Sequence, residues 1–232
     1  MGEPEWTVRT DDLRGCSFEQ FLDYAFDRPV PACRDDLSWW HADPIDEVRL
    51  LVDAPRQLEH ACRLFSDPLL LATRTSVDQL DQGFWFLALG HIEPDFAPFF
   101  LQPLWSEHVD LALRCRCVSA MFELYEKLFA EVQIEGAAYM WWDLLSTFQP
   151  DLRALRPHPV PTQERVRREM VATLARILHL PQPDCQKAAL HGLEHIATAG
   201  EREPLIDRYL EDASLDTTLR EYARACRGGE LP

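Results

Sequence analysis

The chain has few lysines, no Asn-Gly or Asp-Gly turn, no long apolar run and none of the short motifs that mark common chemistries. Each shortage excludes something. Only Lys127 and Lys187 are lysines among 23 basic residues, which face 39 acidic ones for a net charge of -16. A phosphate-binding surface needs clustered Lys and Arg, so nucleic acid is excluded as the expected partner. No segment approaches the roughly 20 apolar residues that span a bilayer, so no membrane partner is expected. The opening stretch, MGEPEWTVRTDD, has neither a basic n-region nor an apolar core. No signal peptide is expected there, and the chain reads as cytoplasmic. Without hairpin turns or alternating apolar runs, β-hairpins are not expected either. G-x-S-x-G, G-x-x-x-x-G-K-[ST], G-x-G-x-x-G and C-x-x-C are all missing. No catalytic residue and no cofactor is therefore nominated by motif.

What is present is a folded helical chain. Its 232 residues are 47% hydrophobic and 10% aromatic, enough for a sizeable core and too apolar for disorder. The seven cysteines sit largely in helical patterns (Cys62, Cys185, Cys226) and read as reduced, buried thiols. Cys115-Arg116-Cys117 is a C-x-C on a helix whose thiols point apart, a poor metal clip. Residues 1–60 hold 14 acidic and 6 basic side chains, half of the net charge in a quarter of the chain. That asymmetry suits solubility and also steering of a basic partner.

Apolar residues recur at helical intervals. SFEQFLDYAF places Phe18, Phe21, Leu22 and Phe26 on one face, with Ser17 as N-cap. IDEVRLLVDA and RQLEHACRLF read as two short helices divided at Pro55. SVDQLDQGFWFLAL starts at Ser76, and Gly83 within it implies a close helix approach. A long helix is expected from about Ser106 to Val132, and a shorter one over Gly136 to Phe148. Pro150, Pro157, Pro159 and Pro161 then make a stiff connector over 149–162, the best internal boundary. Beyond it, VRREMVATLARILHL, CQKAALHGLEHIATAG, EREPLIDRYLEDA and SLDTTLREYARACRGG each form an amphipathic helix, the last stopped by Gly228 and Gly229. The expected architecture is all-α over residues 1–232, with an acidic segment at 1–45. It consists of stacked helical hairpins of the HEAT or armadillo kind in an irregular register, an irregular α-solenoid.

Three constellations stand out. His191, Glu194 and His195 spell H-x-x-E-H, in which two imidazoles four apart share a helix face and an adjacent Glu could activate water. Measured from the apolar centre of that helix, both histidines fall on its flank, Glu194 points nearly opposite, and no segment nominates a third ligand. Helix-flank histidines are therefore expected, with a zinc-dependent hydrolase as the alternative. Met140-Trp141-Trp142-Asp143 carries adjacent tryptophans about 100° apart on a helix, so both cannot lie fully in one core; core packing is the favoured reading, with one of them in a groove or interface as the alternative. Asp35, Asp36, Trp39 and Trp40 repeat acid-plus-aromatic in an expected loop. Together with Trp141, Trp142 and Asp143 they are the candidate partner-binding residues.

QLDQGFWFL (79–87), YMWWD (139–143), CQKAALHGLEH (185–195) and the closing YARACRGG resemble a family of uncharacterised bacterial proteins marked by a Gln-Gly-aromatic helix, an MWWD segment and an A-L-H-G-L-G-H helix. The resemblance spans roughly residues 50 to 229 and implies a HEAT-like fold. In that pattern Gly occupies the position of Glu194, which tells against zinc-protease chemistry. Size, acidity and architecture are also similar to immunity proteins that neutralise secreted toxins. The expected function is thus non-catalytic protein binding, with a structural subunit of a larger assembly as a further alternative.

Overall fold

The computed structural model describes residues 8–30, 47–88, 100–132, 134–147 and 160–229. Among these residues the fold is all-α, apart from one pair of short strands. Strand β1 (Val8–Asp12) runs parallel to β2 (Glu47–Leu51), with Val8 opposite Glu47 and Asp12 opposite Leu51. The expected helix over IDEVRLLVDA is corrected here. Leu50 is buried and Leu51 is exposed, the alternation of a strand. Helix formation begins only past Asp53, whose carboxylate accepts from the Arg56 N–H at 3.0 Å.

Helix α1 (Phe18–Phe26) buries Phe18, Phe21, Leu22, Ala25 and Phe26. Ser17 and Gln20 close a reciprocal capping box at its start, as the sequence implied. Helix α2 (Ala54–Ser66) takes Pro55 into its first turn, where the missing N–H costs nothing. The single turn α3 (Leu69–Ala72) leads to α4 (Val77–Ala88), capped by Ser76 and Gln79. Gly83 on α4 lies directly against the Phe26 ring, leaving no room for a Cβ. The close approach read from the sequence is present.

A 3-10 turn (Gln102–Trp105) precedes α5 (Leu111–Leu124), so the long helix starts later than expected. Asp110 sets that start by accepting from the Leu113 N–H at 3.0 Å. Its far end widens into a π turn (Tyr125–Phe129), closed by a bond from the Ala130 N–H to the Tyr125 carbonyl at 2.9 Å. Helix α6 (Glu135–Thr147) follows. Then come α7 (Pro161–Ile177), α8 (Pro183–Ile196), α9 (Ala199–Leu210) and α10 (Thr217–Gly228). Pro161 and Pro183 each open a helix at its first position, so part of the proline content serves as helix starts. The rest of the expected connector lies outside the described residues. Gly229 ends α10 at φ 72°, a left-handed cap only glycine adopts without strain.

Packing crosses the proline-rich stretch. Helix α5 lies on α7 and α6 lies on α8, while α10 closes against both α8 and α9. One continuous apolar cluster runs from Phe18 to Cys226. Arg167 pins its C-terminal part. Its side chain is 6% exposed and bonds Glu164 on its own helix, the Ile196 carbonyl ending α8 at 3.2 Å, and Glu201 opening α9 at 2.8 Å. Charge-assisted bonds of this kind hold geometry well when every donor is used.

Candidate functional site

The tryptophan pair is not a surface feature. Trp141 and Trp142 are both fully buried, in line with the favoured core reading, which removes them as partner-binding candidates. The 100° between adjacent helical residues does point them apart. Helix α6, however, is covered on more than one side, so each finds its own core. Trp141 packs edge-on against Phe65 at 5.6 Å and Phe84 at 5.9 Å, and its indole N–H reaches Met121 Sδ at 3.4 Å. Trp142 stacks over Tyr125 at 6.2 Å and meets α8 at Gly192. Asp35, Asp36, Trp39 and Trp40 lie outside the described residues.

Gly192 decides what comes next. A Cβ there would sit 2.7 Å from Trp142 Cβ and 2.8 Å from Leu174 Cδ2, closer than carbon atoms approach. Its absence lets α8 press against α6, and the residues on either side of this contact converge. Asp143 Oδ1 lies 3.1 Å from His195 Nδ1. His195 Nε2 lies 3.6 Å from Glu194 Oε2, so Glu194 turns toward the pair instead of away as its helical position suggested. The rings of His191 and His195 meet at 4.5 Å. Asp143, His191 and His195 present one metal-capable atom each within 4.8 Å of one another, and theirs is the metal-capable group of three found among the described residues. Asp143 is the third metal-capable residue, which no spacing within α8 could reveal because it comes from 48 positions earlier in the chain.

His191 is not on a flank. It is 8% exposed and stacks on Tyr139 with ring centres 4.4 Å apart. Its Nδ1 is 3.2 Å from the Tyr139 hydroxyl and 3.4 Å from that of Tyr222, and the two hydroxyls share a 2.7 Å hydrogen bond. Its Nε2 is shielded from solvent and meets no hydrogen-bonding partner. Burial, reinforced by the neighbouring His195, lowers its pKa to about 4, with Asp143 and Glu194 opposing the shift. The ring is therefore neutral at ordinary pH. Burial together with the Tyr139 bond also raises the Tyr222 hydroxyl well above its usual range. The Lys187 ammonium stands over both tyrosine rings, 5.4 and 5.3 Å from their centres. Asp143, His195 and Glu194 are about one-fifth exposed, so the cluster opens to solvent on their side.

Among the described residues burial raises every cysteine thiol, Cys185 and Cys226 to about 12 each, far from the thiolate range at neutral pH. The outer surface is acidic. Asp27, Glu59, Asp67, Asp78, Glu126 and Glu131 are exposed and form no ion pair among the described residues. Lys127 joins the ends of α2 and α5 through the Ser66 carbonyl at 3.3 Å and Glu123 at 3.1 Å, beside three of those acids. No helix among the described residues is long and apolar enough to cross a membrane.

No family model, curated protein or solved structure matches the chain.

Proposed function

We propose that the chain is a non-catalytic protein-binding module that captures a basic protein, in the manner of an immunity protein covering a toxin's working surface. The observation that carries this reading is the acid excess left facing solvent. The net charge is -16, and Asp67, Glu126 and Glu131 lie exposed at the α2 and α5 ends, where Lys127 is already paired with Glu123. Such a surface raises the encounter rate with a cationic partner and disfavours acidic ones. Helical packing from α5 through α10 supplies a rigid platform, and the resemblance to HEAT-like proteins points the same way. The tryptophans at 141 and 142 take no part as anchors. Binding would rest on charge and on residues at the rim.

The test is affinity capture from the native host, followed by binding of the retained protein to purified variants. A single basic protein held at 1:1 stoichiometry is expected, with affinity falling as salt rises. Asp67→Lys combined with Glu126→Lys and Glu131→Lys should slow association at least tenfold. These exposed substitutions should change stability by no more than about 0.5 kcal/mol each. A retained partner bound equally by the charge-reversed variant, or with no salt dependence, would sink this reading.

A further inference from the structure

The seam between α6 and α8 carries an inference that stands apart from partner capture. Two imidazoles and one carboxylate meet there, from Asp143 on α6 and His191 and His195 on α8. In a tetrahedral site with bonds of about 2.0–2.1 Å, ligand atoms lie roughly 3.3 Å apart. The Asp143–His195 edge, at 3.1 Å, already has that length. The remaining edges are no longer than 4.8 Å.

An independent observation comes from His191. Its ring is more than nine-tenths buried, its Nδ1 is engaged by the Tyr139 and Tyr222 hydroxyls, and its Nε2 is left with no partner. A buried polar atom without a partner is unfavourable, and an ion bonded to that nitrogen would satisfy it. Metal-bound histidines commonly have their second nitrogen fixed by a neighbour, the part the two tyrosines play here. Asp143 and Glu194 bring two carboxylates to the imidazoles, and Lys187 stands over the rings of the tyrosines whose hydroxyls meet His191.

We propose that Asp143, His191 and His195 together hold one divalent first-row metal ion of the zinc class at the α6–α8 seam. The mixed nitrogen and oxygen donors suit zinc and its neighbours, not magnesium or calcium, which prefer oxygen throughout. Three protein ligands leave a fourth position, on the side where Asp143 and His195 reach solvent. Tyr139 and Tyr222 are positioning residues that orient the His191 ring and touch no ion themselves.

The experiment strips the full-length chain with a chelator, then titrates it with zinc by calorimetry and follows thermal unfolding with and without zinc. Uptake of one equivalent is expected, with a midpoint that rises with zinc concentration by mass action. Asp143→Asn and His195→Ala, both at partly exposed positions, should remain helical by circular dichroism yet bind zinc at least 100-fold more weakly. Tyr222→Phe should weaken it about tenfold, as loss of a supporting bond does. Exposed His108 and His179 provide the control. Zinc uptake lost in a His108→Ala/His179→Ala variant but unchanged in Asp143→Asn would mark surface binding and overturn the proposal. So would a stripped wild type that takes up no zinc at micromolar concentrations. Neither result depends on whether a protein partner is captured.

Discussion

Single residues show where charge and burial act on stability. Arg167 and Glu201 join α7 to α9, and the bond to Arg167 lowers the Glu201 carboxyl from 4.5 to about 2. A depressed carboxyl stabilises the fold above its unfolded value, and that contribution disappears as pH falls through the folded value. Acidification from about pH 5 to 2 should therefore cost stability through this group, moderated because Glu201 is substantially solvated. Glu201→Gln should be less stable than wild type at pH 7 and flatter across that window, as followed by urea denaturation. Equal pH slopes in both proteins would mean that the pair contributes nothing. At the same scale lies what the sequence could not show. The pattern H-x-x-E-H identified His191 and His195, but burial of His191 depends on Tyr139 and Tyr222, brought from 52 residues before and 31 after.

At the scale of elements, helical periodicity located most of the helices, because amphipathic spacing reports directly on which face is buried. It misses one element. Glu47–Leu51 reads as helix since five residues are too few to separate periods of 2 and 3.6, and its pairing strand lies far off in sequence. The tryptophans bury on two sides of α6, and which neighbours receive them is not visible in a single helix's spacing. Gly192 was legible as a small residue in an inner stripe. Its consequence, the convergence of α6 and α8, required the partner helix. Gly192→Ala should cost about 1–3 kcal/mol by overpacking, since Trp142 Cβ cannot move without its helix. Denaturant titration checks this, and an unshifted midpoint would show slack at the seam.

For the whole molecule, recurrent helical spacing pointed to an all-α chain, and the fold of the described residues agrees with it. The acid excess was equally legible, whereas the side-chain cluster at the seam was not, being an outcome of packing. The parallel pairing of β1 with β2 has a further consequence, in the order of assembly. Its partners stand 39 positions apart, Val8 with Glu47, and the pair is two-stranded with Leu51 exposed, whereas α8 is covered by α6, α7 and α10. Closing so long a loop must precede any gain from the pairing, so the strands join late. What forms last tends to open first. Native-state hydrogen exchange should show the Leu13 amide, held by the Leu51 carbonyl at 2.8 Å, exchanging well before the amides of α8. The N-terminal strand would then act as a latch that comes undone at low cost while the helical body stays folded.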